Sequence, residues 1–244
     1  MSEKTSAISV RNVSITYKWI KAYSIKKNLL RLKKANNQVV EAVKNVSFEV
    51  PEGSILGIIG KNGSGKSTML KAIAGVFSAD EGEIDLHGHS VSLLSIGVGF
   101  QKELTGRENI LLSGLLLGFE ESYVREKMQE IIDFAEIGHF IDMPVRTYSS
   151  GMYSKLAFSI TAILETDIML VDEVLSVGDR KFKKKSFKKM EELISDSHRT
   201  VIIVSHSDAS LRSLCQQVMW MHDGQIKKIG ETNEVLDEYT EFMK

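Results

Sequence analysis

Apolar residues recur along this chain with two different periods, and the alternation between them predicts its architecture. In VKNVSFEV, Val43 to Val50, apolar and polar positions alternate with period two up to the turn Pro51-Glu52-Gly53, which predicts a half-exposed strand. SILGII (Ser54 to Ile59) is instead a continuous apolar run, as are DIMLV (Asp167 to Val171) and TVIIVS (Thr200 to Ser205). Runs this short and this uniformly apolar predict strands buried on both faces of a parallel sheet. Such a sheet needs helical crossovers. Met69, Leu70, Ile73 and Ala74 supply one apolar helical stripe, and Phe187, Met190, Leu193 and Ile194 supply another. From about residue 101 to residue 159 the period is helical, most clearly over Tyr123 to Phe134, which predicts a helical lobe between two halves of the sheet. After His222-Asp223-Gly224 one short strand and an acidic helix are expected.

Composition narrows the function classes. The chain has 244 residues, 26% of them charged and 43% hydrophobic, with a formal net charge of -1. Bulk nucleic-acid binding, whose footprint is a domain-wide basic excess, is argued against by that balance. Cys215 is the single cysteine, and the starting stretch MSEKTSAISV has no apolar signal-peptide core. Both point to a cytosolic setting. The most apolar stretch, ILLSGLLLGF from Ile110 to Phe119, is far short of the ~20 residues that cross a bilayer.

GKNGSGKST, Gly60 to Thr68, satisfies G-x-x-x-x-G-K-[ST] through Gly60, Gly65, Lys66 and Ser67, and stands between an apolar strand and a helical pattern. Glycines let the backbone curl so that its N–H groups surround phosphate oxygens, the following helix aims its positive end at them, and the lysine adds a fixed charge. Ser67 would hold Mg²⁺ through its hydroxyl. IMLVDE ends a second apolar strand with Asp172 and Glu173. The first can hold Mg²⁺ through water, while the second, on the other side of the strand end, can reach an attacking water. His206 ends TVIIVS in the same manner, whereas the other five of the six histidines lack such a setting.

These sites converge on a family. GKNGSGKST, YSSGM (Tyr148 to Met152), IMLVDE, SVGD (Ser176 to Asp179) and VSH (Val204 to His206) stand in the order found in ATP-binding cassette ATPases, and the resemblance covers nearly the whole chain. It implies an α/β fold of the P-loop NTPase kind: a RecA-like parallel core sheet, an antiparallel β subdomain and an inserted α-helical subdomain. One nucleotide-binding domain would span residues 1–244. Its core would be 1–100 and 160–225 with a basic insertion at 18–38, its helical signature subdomain 101–159, and its tail 226–244 without a further C-terminal domain. The implied cofactors are ATP and Mg²⁺. By resemblance Gly60, Lys61, Asn62, Gly63 and Ser64, then Gly65, Lys66, Ser67 and Thr68, surround the phosphates. Gln101 in GVGFQKELTGREN joins Ser67 and Asp172 at the metal and links core to lobe. Tyr17 in NVSITYK stacks on adenine, the alternative being a strand residue packed in the core. Glu173, His206, Gln101 and Lys66 are the implied catalytic set.

YSSGM resembles the signature LSGGQ that opens a helix in the lobe, and SVGD resembles the SALD loop ending here at Asp179. In this family the signature lies too far along the lobe to reach its own phosphates, so two subunits dock head to tail and each nucleotide is sandwiched. Ser149, Ser150 and Gly151 would face the nucleotide on the other subunit. Closure would exclude water while Glu173 orients or deprotonates the attacking water and His206 fixes the terminal phosphate. Ser150 replaces the first signature glycine, Met152 replaces its glutamine, and Val174 stands where a proline often follows the glutamate. A side chain at Ser150 restricts backbone angles that glycine allows.

YSSGM, DEVLSVGD and GVGFQKELTGRENI are together similar to one branch of the family, the ATPase subunits of exporters of teichoic acids, O-antigens and related cell-surface polysaccharides. The implied partners are a second copy of the chain, an integral membrane permease that handles the polymer, and no nucleic acid. The implied location is the cytoplasmic face of the membrane. KWIKAYSIKKNLLRLKK, Lys18 to Lys34, holds seven cations and no acid within an insertion of about twenty residues after Tyr17. Its aromatic and leucine anchors suit an anionic membrane surface or polymer channel, the alternative being a solvated basic helix. RKFKKKSFKK (Arg180 to Lys189) reads as the wet face of the helix carrying Phe187 and Met190. ILLSGLLLGF is either a permease contact or core. Rival readings are another cargo such as lipid or drug, a soluble cassette ATPase acting on nucleic acid or ribosomes, and a non-hydrolysing scaffold.

Overall fold

Residues 5–19, 38–94, 99–172, 179–194 and 199–244 of the chain are described by a computed structural model. Glu173 and most of the basic insertion, residues 20–37, lie outside the described residues. Strands β1 (Ser6–Trp19) and β2 (Gln38–Pro51) pair antiparallel. Strand β3 (Ile55–Ile59) follows the turn after Pro51, and β4 (Glu81–Asp85) returns to pair with β1, giving a three-stranded sheet in the order β2-β1-β4.

The larger sheet is built from β3, β5 (Val91–Leu94), β6 (Ile168–Asp172), β7 (Thr200–Val204), β8 (Gln217–His222) and β9 (Gln225–Glu231). Its six strands run in the order β5-β6-β7-β3-β8-β9, parallel except for the final β8–β9 pair. The crossovers are helical. They include α1 (Lys66–Ile73), then the block α2 (Gly106–Leu116), α3 (Glu121–Ala135) and α4 (Ser150–Ile163), then α5 (Arg180–Ile194) and α6 (Asp208–Leu214), with α7 (Thr232–Phe242) after the last strand.

Three hydrophobic clusters hold these layers. One joins the two sheets around Ile8, Val13, Ile58, Leu70 and Met219, and a second covers the opposite face of the larger sheet with Phe158, Phe182, Met190 and Leu236. The third lies among the helices of the inserted block, around Ile110, Val124, Ile131 and Leu156. Each such buried Ile, Leu or Phe stabilises the fold by roughly 1.5–3 kcal/mol relative to exposure. Helix α4 serves two clusters at once: Phe158 and Ala162, spaced i, i+4, pack toward the sheet, while Leu156, Ile160 and Ile163 pack into the helical block. Phe158 also meets Phe134 of α3 and Phe182 of α5, with ring centroids 6.1 Å apart in both cases.

The structure corrects one helical stripe. Phe187 was expected in the core but is 45% exposed, and Phe182 is buried in its place. The buried line of α5 runs Phe182, Ser186, Met190, Leu193 and Ile194, so a small serine fills the slot that the apolar pattern had assigned to the neighbouring phenylalanine. Strand β2 begins at Gln38, ahead of the alternation that announced it, and β5 has only four residues, too few for any period to show.

Candidate active site

The chain leaves β3 at Ile59 and turns at once into the glycine-rich loop. Two of its glycines are demanded by packing. A Cβ on Gly60 would fall on the Met221 carbonyl oxygen and on Ser64 Oγ. Gly65 has φ 101°, and a Cβ there would fall on the Ala42 carbonyl oxygen. The loop is thereby pressed against β2 and β8, and the Gly224 N–H donates to the Ser64 carbonyl at 3.2 Å. No side chain caps α1 and its first turn holds no carboxylate. The positive end of its dipole therefore points toward the loop, where it would attract an anion.

Lys66 is buried, and its Nζ donates to the carbonyls of Gly60 and Lys61 at 2.7 and 2.9 Å. Beside it Ser64 Oγ is buried without a hydrogen-bond partner among the described residues. Constricted glycines, an uncapped helix start and an inward ammonium together fit a polyphosphate.

The parallel register brings the other polar groups to the same edge. Val204 of β7 pairs with Ile58 of β3 on one side and with Asp172 of β6 on the other, so these three strands end level. Asp172 Oδ1 accepts a hydrogen bond of 3.2 Å from Ser67 Oγ, joining strand end to loop. A carboxylate and a hydroxyl at that separation are the hard oxygen donors that suit Mg²⁺. Beyond β7 the Ser205 N–H donates to the Ile58 carbonyl, and the Ser205 and Ser207 hydroxyls accept main-chain N–H groups. His206 is held exposed between these two serine turns. Tyr17 is 39% exposed, so it is not packed in the core; its hydroxyl donates to Thr68 Oγ1 at 3.4 Å and its ring meets Phe77 edge-on. Glu173 lies outside the described residues.

The signature segment opens α4. Ser149 is its N-cap, accepting from the Met152 N–H at 3.2 Å. Ser150 is the first helical residue, its φ is not positive, and its carbonyl accepts from Ser154 Oγ. A side chain at Ser150 therefore carries no backbone strain. Gly151 differs from the loop glycines: its φ is not positive, and a Cβ there would meet only Ser149 Oγ at 3.8 Å, an ordinary contact.

Gln101 is exposed at the entry to the helical block, where its main chain is bonded to Asn109. Asp179 caps the start of α5 through the Lys181 and Phe182 N–H groups and pairs with Lys155 of α4 at 2.6 Å. The Lys155 ammonium and those two amides hold the Asp179 carboxyl down to about 2.

Sequence reasoning missed Lys155 and Asn109. Nothing in the sequence sets Lys155 apart from a surface cation. Asn109 is fully buried, and the signal that could have found it was a polar residue of poor helix propensity heading the apolar run from Ile110.

The model for ABC transporter domains matches residues 43–176. Over 203 residues the chain is 47% identical to the teichoic acids export ATP-binding protein TagH of Bacillus anthracis, a match that covers 83% of this chain and 37% of that protein. It is 41% identical to the O-antigen export system ATP-binding protein RfbB of Klebsiella pneumoniae, covering 83% of this chain and 82% of that protein. The chain thus spans well under half of the first relative and most of the second. Among solved structures, the dimeric post-hydrolysis state of the ATP-binding cassette MJ0796 bound to ADP and Pi superposes with a TM-score of 0.68. That match has 21% identity and covers 92% of this chain and 98% of that one, a likeness of fold.

Proposed function

The chain belongs to the ABC transporter family, and from that premise we propose that it binds and hydrolyses ATP to drive export of a teichoic acid or related cell-surface polysaccharide. One observation carries the nucleotide half of this reading. The uncapped start of α1, its packed glycines and buried Lys66 lie beside a Ser67–Asp172 pair on a shared strand edge. Residues 60–68 wrap the phosphates, with Lys66 adding charge, and Tyr17 stacks on the base at the exposed flank of Thr68. Ser67, Asp172 and Gln101 would hold Mg²⁺, which would neutralise phosphate charge and polarise the phosphorus–oxygen bonds. Glu173 takes the proton of the attacking water, and His206 hydrogen-bonds the terminal phosphate.

The working unit is a head-to-tail homodimer. Gly151 supports this: a helical glycine costs roughly 0.5–1 kcal/mol relative to alanine, and the space around it in this protomer would admit a methyl group. The need for glycine therefore comes from a surface approaching it from outside, which in the dimer is the other subunit's nucleotide. Asp179 belongs to the same interface. The ATP-binding cassette MJ0796, a chain of the same fold, is dimeric in its post-hydrolysis state. Closure then adds the donors of Ser149, Ser150 and Gly151 to the transferring phosphate, and hydrolysis reopens the pair.

The cargo reading rests on relatives that bear export names. No helix among the described residues is long and apolar enough to cross a membrane; on the export reading, the chain would work at the cytoplasmic face through a permease. Leu115 and Leu116, at the end of α2, are 45% and 57% exposed and form the permease contact. Ile110 of the same apolar run is core. The basic composition of the insertion between 18 and 38 suits binding of an anionic polymer or lipid; deleting Ile20 to Asn37 without effect on ATPase activity or export would remove that role.

The decisive experiment compares wild type with Glu173→Gln. We expect ATP binding to persist, turnover to fall by about 10²–10⁴, and a dimer to accumulate with ATP in size-exclusion chromatography. Undiminished turnover, or full activity from a strict monomer, would overturn the assignment.

A further inference from the structure

We propose that Asn109 is a positioning residue that makes Gln101 mechanically part of the helical block, so that a displacement of α2 or α4 reaches Gln101 undiminished. The inference rests on the reading of Gln101 given above, and goes beyond it by naming what moves Gln101. Asn109 is fully buried one turn into α2. Its Oδ1 accepts from the Gln101 N–H at 2.7 Å, and its Nδ2 donates to the Gln101 carbonyl at 3.0 Å. The same amide reaches the carbonyls of Leu104 and Thr105 at 3.2 and 2.8 Å. One side chain therefore satisfies both main-chain groups of Gln101 and closes the loop between it and the helix. A buried amide lost from such a network leaves several main-chain groups unpaired.

The neighbours of Gln101 are held by the same block. A Cβ on Gly99 would strike Leu116 Cδ1 at the far end of α2. The Phe100 ring meets Tyr153 of α4 edge-on, 5.0 Å between centroids, one residue past the signature segment. The Lys102 and Leu104 carbonyls accept N–H bonds from Arg146 and Val145. Phe100 and Gln101 are thus each tied to a helix of the block, and Leu116 lies close against Gly99. Helix α2 is itself rigid, with a complete capping box of Thr105 and Glu108 at its start. Its exposed Leu116 lies about 10 Å along the axis from Asn109, at 1.5 Å per residue. A push at Leu116 and a pull at the start of α4 arrive at the same side chain.

The test begins with hydrogen exchange on the unaltered protein. The Gln101 amide is expected to exchange with the protection of the α2 amides, in one cooperative unit; exchange at the rate of an open loop would overturn the proposal. This reading needs no activity, so it stands apart from the ATPase assay, where an inactive wild type would sink the proposed function alone.

Kinetics then supply the second arm. Asn109→Ala should lower kcat about 10-fold or more and raise the Mg²⁺ concentration for half-maximal rate, as loss of an outer partner of a metal site does, while leaving the ATP dissociation constant within about twofold. Adding Gln101→Ala to it should cost less than about twofold more, because the two act as one unit. Ile131→Ala, which opens a cavity in the same block, serves as the stability control and should retain kcat. Losses that multiply in the double variant, or an equal loss of kcat in the control at a matched fall in Tm, would show Asn109 to be structural only.

Discussion

Two helices of this protein carry the motifs of the proposed site at their starts, and they begin differently. Helix α1 has no side-chain cap, and the glycines before it are forced by contact with Ala42 and Met221 of the same chain. Helix α4 caps itself with Ser149, and Gly151 in its first turn has room for a methyl group. The first terminus is therefore shaped within the protomer, and the positive end of its helix dipole would attract an anion. The second is half a site only in the proposed dimer: Ser149 satisfies the Met152 amide from within, and no described residue around Gly151 itself requires a glycine.

The comparison can be broken most severely at Gly65. Gly65→Ala places a side chain at φ 101° and onto the Ala42 carbonyl, so a loss of more than about 2 kcal/mol in stability is expected together with loss of measurable ATP binding. Calorimetric binding at wild-type affinity would mean that the loop is not the nucleotide cradle. Gly151→Ala is the counter-experiment. Here the thermal midpoint should hold or rise slightly, since alanine is the better helix former by roughly 0.5–1 kcal/mol, and ATP should still bind to the monomer. Turnover and ATP-dependent dimerisation should nonetheless drop about 100-fold, the scale of losing a donor at a developing oxyanion. Unaltered turnover in that variant would remove the argument for a composite site.

A smaller effect sharpens the α1 side. Tyr17→Ala should weaken ATP about five- to tenfold, corresponding to ~1 kcal/mol of stacking, and should weaken GTP less if the ring discriminates the base. Equal affinity for ATP before and after the change would return Tyr17 to a merely structural role.

The smallest effect belongs to the α4 side. The Asp179 carboxyl is held down from 3.8 to about 2 by Lys155 and the α5 amides. A depressed carboxylate stabilises the fold fully above its unfolded value near 3.8 and loses that contribution as pH falls through about 2. Lys155→Met should therefore be less stable than wild type at neutral pH, by a small amount because Asp179 is exposed. The gap should close as acid titration proceeds below 4, read as converging urea midpoints.

Much of this was legible in the sequence, for unequal reasons. The glycine-rich loop, Asp172 and His206 could be read because their chemistry constrains consecutive residues beside short apolar strands, and the parallel register does bring their strand ends level. The order of the strands could not be read, since the sheet order β6-β7-β3 depends on which crossover passes over which strand. Ser150 was expected to restrict its backbone, yet it stands at a helix start where any residue is at ease. Phe187 and Ser186 show the opposite limit: a hydrophobic pattern cannot foresee that a serine takes the buried slot while its aromatic neighbour turns outward. Asn109 escaped because its importance lies in four hydrogen bonds to the main chain, and a single buried amide leaves no period in a sequence.

In the proposed head-to-tail pair, the two-faced packing of α4 has a consequence for how change at one nucleotide would be felt in the protomer facing it. A helix with one greased side slides or tilts on its bed; one gripped on both sides, by Phe158 and Ala162 toward the sheet and by Leu156, Ile160 and Ile163 toward its sister helices, behaves as an axle. Force applied at its tip turns the whole wheel. Trimming Phe158, far from any phosphate, should then slacken communication between paired sites while each still loads its nucleotide.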